Sequence, residues 1–305
     1  MKMKQIVPPG WEHGEAIGTD GNIYFRGACG IPRLVEGGAS NRNPPVRIVD
    51  AIIWVSVAVG INYAVAIDKD GSIWAWGATG SDQFDNDILL KTETRIMLEH
   101  PDGKKWKAVS AGFNCAAAID EDDFLWAWGR YALGPKGNIM AATNNMPVKV
   151  MHPAGKKWKS VSVEGYHAAV IAEDGSLWAW KSSEENRPMN DRHDPIQIGG
   201  DTNWTAVHTY GGHITAQKKD GSIWLGIDFE DHRSMTMPTK ESHSMAVRGD
   251  GALWTWQNVP PGDSIKPAEI TCAIINHIKG KKWKSVSTNG CCTLAIDENG
   301  ALWIC

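Results

Sequence analysis

A tryptophan and a tight-turn residue recur along this chain at a constant separation, and this spacing limits the possible folds more than any other feature. The Trp of a Trp-x-x-Val motif precedes the turn position by 17 residues in five places. The five pairs are Trp54 and Gly71, Trp106 and Asp123, Trp158 and Gly175, Trp204 and Gly221, and Trp283 and Gly300. A separation kept this often indicates internal repeats of one small structural unit.

The turn position belongs to a motif of Asp or Asn, Gly, any residue, Ile or Leu, and Trp or Tyr. Its copies begin at Asp20, Asp70, Asp174, Asp220, Asp250 and Asn299. A seventh copy begins at Asp122 and has Asp123 in place of Gly. Asp-Gly before an apolar run is typical of a two-residue hairpin turn. With the short apolar stretch before each turn, such as Ala64–Ile67, each unit is predicted to be strand, loop, strand, turn and strand.

A fourth strand is predicted from the polar stretch that follows, which often ends in a strand-like piece such as Pro147–Val150. Most turns follow one another at 46 to 52 residues, and a small sheet of that size buries both faces only by packing against its neighbours. We therefore predict an all-β fold, a seven-bladed β-propeller with four-stranded antiparallel blades, as a single domain over residues 1–305. Only 30 residues separate Gly221 from Gly251, which predicts a shortened sixth blade.

The two ends of the chain are predicted to share one blade. Cys305 comes directly after the third predicted strand of the seventh unit, where an outer strand is missing. The segment Lys4–Val7 resembles an outer strand in composition. We therefore expect Lys4–Val7 to complete the last blade, so that the termini meet there.

The repeat resembles that of the regulator of chromosome condensation family. The shared pattern is Trp-x-x-Val-x-x-Gly, then Ala-Ile/Val-x-x-Asp-Gly-x-Ile/Leu-Trp-x-Trp-Gly, and residues 54–77 and 106–129 carry it best. The family places a His nine residues after the Trp. In this chain that site, called the ring position below, holds His13, Tyr63, Cys115, His167, His213, His243 and Cys292. The resemblance implies a propeller that binds proteins, although the Gly-Trp-Arg-His-Thr motif of the family's photoreceptor is absent.

The candidate binding site is the set of loops between first and second strands, which open on one face of the predicted disc. We call this end the loop face. The predicted binding residues are Trp11, His13, Ile61, Tyr63, Phe113, Tyr166, His167, Tyr210, His213 and His243. Clustered aromatic side chains on a concave rim are typical of protein interfaces. The alternative is that these side chains only fill the axial channel.

Three other features have a functional and a structural interpretation. Trp-x-Trp pairs such as Trp74 and Trp76 could stack on sugars, as in a propeller lectin, but packing between blades is favoured because the pair recurs in every well-formed unit. The His and Cys side chains at the ring position could bind zinc, but one ligand per blade does not converge, so no metal is expected. Lysines before Trp106, Trp158 and Trp283 are read as a solvated rim and not as a phosphate site.

No catalytic motif is found, so we predict a non-enzymatic platform that uses no cofactor and binds a protein partner. The alternatives are a glycan-binding propeller or a structural component of a larger assembly such as a virion. A net charge of -4 makes nucleic acid an unfavoured partner. Without a signal-like or membrane-spanning apolar run, and with six Cys that form no paired pattern, a cytoplasmic location with no membrane contact is expected.

Overall fold

The computed structural model describes many strands and turns of the chain. The described residues are 3–6, 13–27, 46–47, 51–60, 63–77, 96–112, 115–129, 147–150, 155–164, 167–181, 195–210, 213–220, 222–227, 244–247, 253–256, 282–288, 293–299 and 301–304. Within these ranges the regular structure is β-strand throughout, in agreement with the all-β prediction.

The strands of the described residues form seven antiparallel sheets, numbered here in chain order. Sheet 1 contains β1 (Met3–Ile6), β2 (His13–Gly18), β3 (Ile23–Gly27) and β4 (Val46–Arg47). Sheet 2 contains β5 (Trp54–Val59), β6 (Tyr63–Asp68), β7 (Ile73–Gly77) and β8 (Ile96–Leu98). Sheet 3 contains β9 (Trp106–Ala111), β10 (Cys115–Asp120), β11 (Leu125–Gly129) and β12 (Val148–Val150). Sheet 4 contains β13 (Trp158–Glu164), β14 (His167–Ala172), β15 (Leu177–Lys181) and β16 (Ile196–Gln197).

The remaining sheets show fewer strands within the described residues. Sheet 5 contains β17 (Trp204–Tyr210), β18 (His213–Lys218) and β19 (Ile223–Ile227). Sheet 6 contains β20 (Ser244–Val247) and β21 (Leu253–Trp256). Sheet 7 contains β22 (Trp283–Thr288), β23 (Thr293–Asp297) and β24 (Leu302–Ile304). The shortening of the sixth blade stays a prediction, because residues 228–243 and 257–281 on either side of these two strands lie outside the described residues.

The landmark tryptophans open the first strands of their sheets. Trp54, Trp106, Trp158, Trp204 and Trp283 are the first residues of β5, β9, β13, β17 and β22. A register shift follows each of them, for example between Trp54 and Ser56. The hairpin turn then joins the second and third strands, with Ile67 opposite Ile73 in sheet 2 and Ile119 opposite Leu125 in sheet 3. The 17-residue spacing is therefore the length of one strand, one loop, a second strand and the start of a turn.

A backbone hydrogen bond ties each of four landmark tryptophans to the preceding sheet. The amide of the Trp donates to the carbonyl of the turn position one unit earlier. The distances are 2.8 Å from Trp54 to Gly21, 2.9 Å from Trp106 to Gly71, 2.9 Å from Trp158 to Asp123 and 3.1 Å from Trp204 to Gly175. These turn residues have positive φ, including 67° at Asp123.

Each well-described sheet has an indole face and an aliphatic face. On β6, Val65 and Ile67 lie on the face toward sheet 3, and Ala64 and Ala66 lie on the face toward sheet 1. The aliphatic face of sheet 2 packs against Trp106, Trp126 and Trp128 of sheet 3. The indole face of sheet 2 packs Trp54 and Trp76 against Ile17 and Ile23 of sheet 1. The indoles of each of these sheets therefore pack against the aliphatic side chains of the preceding sheet.

The Trp-x-Trp pairs belong to this packing. Trp76, Trp126 and Trp128 are 3%, 4% and 1% exposed. The landmark Trp54 lies 5.7 Å from Trp76 and 6.5 Å from Trp74, measured between ring centroids. The preferred interpretation, packing between blades, is confirmed for these buried indoles, while the side chains of Trp180, Trp254 and Trp256 lie outside the described residues.

The first strand lies in a different sheet from the one that we predicted. β1 is hydrogen bonded to β2, with Ile6 opposite Ala16 and Gln5 opposite Ile17, so the expectation that Lys4–Val7 completes the last blade is wrong. The spacing itself explains the result, because 17 residues before Gly21 is Lys4, which occupies the landmark position of the first unit. β1 also contacts β22 and β23, so sheet 1 lies beside sheet 7. That residues 1–305 form one domain stays a prediction.

Two glycines with positive φ, one at a turn position and one before a landmark tryptophan, allow a test of how closely neighbouring sheets approach. A Cβ on Gly175 would lie 2.1 Å from the carbonyl oxygen of Thr202, whereas nothing lies within 4 Å of a Cβ on Gly155. Both residues have positive φ, 81° and 64°. We expect Gly155→Ala to lower the free energy of unfolding by about 1 kcal/mol from backbone strain alone. Gly175→Ala should lower it by roughly 3 kcal/mol, because overpacking is added.

Urea denaturation of the two variants measures this difference. If the two variants lose the same free energy of unfolding, the close approach of the Thr202 carbonyl adds no cost to a side chain at Gly175.

Candidate functional site

The ring position begins the second strand of the sheets in which it is described. His13, Tyr63, Cys115, His167 and His213 are the first residues of β2, β6, β10, β14 and β18. His243 and Cys292 precede β20 and β23 and lie outside the described residues. Because each second strand starts at the loop face, the ring position is the root of a loop in every unit for which it is described.

Hydrogen bonds close the roots of two loops. The amide of Gly60 donates to the carbonyl of Tyr63, and the amide of Gly112 donates to the carbonyl of Cys115, both at 2.8 Å. A Cβ on Gly60 would lie 1.9 Å from the Tyr63 ring, so glycine is needed there. The ends of each loop are thus held together across two intervening residues.

Tyr63 joins the loop roots of sheets 2 and 3. Its hydroxyl donates to the carbonyl of Cys115 at 2.7 Å, and the carbonyl of Gly112 lies 3.2 Å from the same oxygen. The side chain is 2% exposed. Burial, with a smaller contribution from Cys115, raises the pKa of Tyr63 well above its usual range, so the hydroxyl remains a neutral donor. Tyr63 therefore fixes the root of its own loop relative to the root of the loop in the next sheet.

The other predicted binding residues are described less fully. The side chain of His167 is half-buried. His13 and His213 are placed at strand starts and Tyr210 at the end of β17, but their side chains lie outside the description. Trp11, Ile61, Phe113, Tyr166 and His243 fall outside the described residues altogether. Binding by these nine residues stays a prediction.

A second set of contacts, between the first strands of neighbouring sheets, was not predicted from the sequence. The Ser110 hydroxyl accepts a hydrogen bond from the Val163 amide at 3.0 Å, which joins β9 to β13. The Ser162 hydroxyl accepts one from the Thr209 amide at 2.9 Å, and the two hydroxyls lie 3.0 Å apart. Ser110 and Ser162 both stand four residues after a landmark Trp, so the spacing contained the signal.

His208 occupies the same position in sheet 5, four residues after Trp204. Burial lowers the pKa of His208 to about 4. The imidazole is therefore neutral at neutral pH, and its protonation is unfavourable in the folded chain.

The hairpin turns lie at the end of the sheets opposite the loop face, and we call this end the turn face. Three lysines there pair with acidic residues of the turns. Lys104 pairs with Asp122, and Lys107 lies 2.6 Å from Asp123. Lys156 lies 2.5 Å from Asp174. The hydrogen bond from Lys156, and after it those from Ser176, lower the pKa of Asp174 to about 2. This pairing agrees with the interpretation of a charged, solvated rim for these three lysines.

Neither a metal site nor a membrane-spanning helix is found among the described residues. No group of three or more His, Cys, Asp or Glu side chains is arranged to hold a metal within the part of the chain that the structure describes. Within the same residues no helix has the length and apolar character needed to cross a membrane.

In sequence, the chain is similar to curated proteins with regulator of chromosome condensation repeats, although no family model matches it. It is 28% identical to the ultraviolet-B receptor UVR8 of Arabidopsis thaliana over 183 residues, which is 57% of this chain and 40% of that protein. It is 26% identical to Protein RCC1 of Candida albicans over 153 residues, 43% of this chain and 32% of the relative. The chain thus spans less than half the length of these relatives.

In structure, the chain is similar to solved proteins of the same type. Prp20p of Saccharomyces cerevisiae superposes with a TM-score of 0.68 and 16% identity, covering 93% of this chain and 80% of that one. Human WBSCR16 superposes with a TM-score of 0.62 and 12% identity, covering 100% and 76%. These likenesses concern the fold. The predicted β-propeller and the resemblance to the regulator of chromosome condensation repeat are confirmed.

The hydroxyl of Tyr63 gives a test of the bond between loop roots. We expect Tyr63→Phe to lower the free energy of unfolding by about 1 kcal/mol, because a buried hydrogen bond is lost while the ring still fills its site. The matched control is Tyr24→Phe, which removes an exposed 2.8 Å hydrogen bond to Asp20 and should cost less than about 0.5 kcal/mol. Denaturant unfolding compares the two, and a larger loss in Tyr24→Phe would contradict the role of Tyr63.

The lowered pKa of His208 predicts a loss of stability in acid. Between the ordinary value of 6.5 and about 4, the unfolded chain takes up a proton that the folded chain does not, so stability falls as the pH falls. The decline attributable to His208 is up to about 1.4 kcal/mol per pH unit. Unfolding of wild type and His208→Gln across this range isolates it, since the remaining histidines are common to both. Identical pH slopes would rule His208 out as the cause.

Proposed function

Because the chain has the repeats and the propeller fold of the regulator of chromosome condensation type, we propose that it is a non-enzymatic platform that binds a protein through its loop face. The proposal places recognition at the loops between first and second strands. The sheets beneath them hold these loops in fixed relative positions.

The observation that carries this proposal is the hydrogen bonding of Tyr63 to the next sheet. Its hydroxyl connects the root of one loop to Cys115 at the root of the next, and both roots are closed by backbone bonds. Loops whose ends are fixed lose less conformational entropy on binding than free loops do. This arrangement favours recognition of a partner by a preformed surface.

The proteins that resemble this chain support a protein partner. Prp20p has binding properties toward Gsp1p and histones, and yeast RCC1 (Prp20) forms a complex with Kap60. SRM1 of Saccharomyces cerevisiae, 22% identical over 130 residues, is a guanine nucleotide exchange factor. Prp20, a propeller of this type, binds other proteins, and we propose protein binding for this chain as well.

The burial of three indoles of the Trp-x-Trp pairs counts against the alternative of glycan binding. An indole that stacks on a sugar must present one face to solvent, but Trp76, Trp126 and Trp128 are buried between sheets. The indole N–H of Trp126 donates to Asp120 at 2.8 Å, which fixes the ring in the turn. These indoles serve the packing of the propeller.

The proposal is tested by removing two aromatic side chains from the loops. We expect the double variant Phe113→Ala and Tyr166→Ala to lose a partner that wild type retains in affinity purification from the source cells, with affinity weakened at least about tenfold. The control is Met97→Ala with Ile196→Ala, which removes side chains 46% and 49% exposed on the outer strands β8 and β16.

Retention of the same partner by the loop double variant, or its loss in both double variants, would contradict recognition by the loop face. A glycan array bound by wild type and not by Trp74→Ala would instead favour the lectin alternative.

A further inference from the structure

One turn departs from the repeat at two consecutive positions. The residue after the turn position is small in the other six units, namely Asn22, Ser72, Ser176, Ser222, Ala252 and Ala301, but it is Phe124 in the third. The turn position before it is Asp123, whose φ of 67° is a conformation that glycine adopts without strain. Each unit of a repeat protein packs against its neighbours in a similar way. A departure at two consecutive positions in one unit therefore marks that unit as a candidate for a separate role.

The turn itself does not require the phenyl ring. The Asp120 carboxylate accepts a hydrogen bond from the Phe124 amide at 2.8 Å, as Asp68 does from the Ser72 amide at 2.9 Å. The same carboxylates also accept from the indoles of Trp126 and Trp74. Serine therefore supports the same hydrogen bonding in sheet 2 that phenylalanine has in sheet 3, and the aromatic side chain is additional.

Two lysines from different sheets lie over this half-buried ring. The ammonium nitrogen of Lys149, on β12, is 3.2 Å from the ring centroid. That of Lys157, directly before Trp158, is 5.3 Å away. We call Phe124, Lys149 and Lys157 the Phe124 patch. It lies on the turn face, at the opposite ends of the strands from the loop face.

These two lysines differ from three nearby lysines that have an acidic partner. Lys104, Lys107 and Lys156 each pair with a turn carboxylate. Among the residues that the structure describes, neither Lys149 nor Lys157 lies within ion-pair distance of a carboxylate. Glu173 is nearby through its backbone, whose amide donates to the Lys157 carbonyl at 3.0 Å. The patch thus presents two uncompensated positive charges beside an aromatic ring.

We propose that the Phe124 patch binds an acidic segment of a partner protein. Carboxylate side chains pair with the two ammonium groups, and an adjacent apolar side chain packs on the edge of the ring. A nucleic acid is a poorer fit, because Lys149 covers a ring face that a base would need for stacking. This second surface is independent of the loop face.

The test uses defined probes and fluorescence anisotropy at about 50 mM salt, where exposed charges are weakly screened. The probes are a fluorescein-labelled peptide of alternating Glu and Leu, the same peptide with Lys for Glu, and an oligothymidine of equal charge. We expect wild type to bind the acidic peptide, and Lys157→Glu and Phe124→Ser each to weaken binding by about tenfold. The matched control is Lys282→Glu, which changes the exposed lysine before Trp283, where the preceding unit has Ala252.

Phe124→Ser introduces the residue found at Ser72 and Ser176, so the variant is expected to fold, and its melting curve verifies this. No binding of the acidic peptide by wild type overturns the proposal. An equal loss in Lys282→Glu, or oligothymidine binding as tight as that of the peptide, overturns it in favour of general charge attraction. Since the loop double variant leaves this patch intact, the two proposals fail or succeed separately.

Discussion

The hydrogen bond from a landmark amide to the carbonyl of the preceding turn is the interaction on which the architecture depends. It repeats at 2.8 to 3.1 Å in four interfaces. The turn residue has positive φ, as Gly71 does at 84°. Because 17 residues separate the landmark amide from the turn in each unit, every unit presents its donor amide and its acceptor carbonyl at the same end of the sheet. The bond uses only backbone atoms. The first strand can therefore be retained in a unit such as the first, where Lys4 stands at the landmark position.

Different side chains accept the hydrogen bond of the turn indole in different sheets. In sheets 2 and 3 a buried aspartate at the end of the second strand accepts from two turn amides and one indole, as Asp68 does from Trp74 at 2.9 Å. In sheet 4 that site is Ala172, and the Ser176 hydroxyl accepts from the Trp178 indole at 2.8 Å instead. The indole is anchored in both cases, which is why the Trp-x-Trp pair is a structural signature.

The sequence predicted the strands well, because the spacing and the turn motif are local signals. It misplaced Lys4–Val7 because the indole was followed as the marker, although the spacing from Gly21 reaches Lys4 without one. The role of Tyr63 could not be predicted, since its acceptors lie 49 and 52 residues away in the next unit. The equivalent positions of Ser110 and Ser162 can be seen in the sequence, but their acceptance of hydrogen bonds from the next sheet follows only from the register between neighbouring sheets. Of the predicted loop residues, Tyr63 is the one whose contacts the structure defines in detail.

The unlike faces of each sheet give the ring a direction. The indoles of sheet 3 meet the aliphatic side chains of sheet 2, and the indoles of sheet 2 meet Ile17 and Ile23 of sheet 1. The contact between two sheets is heterologous, because an indole face packs on an aliphatic face. A circle opened between two sheets therefore exposes one indole face and one aliphatic face. Two opened molecules are then complementary head to tail and can join into chains with no natural end. Closing the circle buries these two surfaces against each other and so removes the route to such chains.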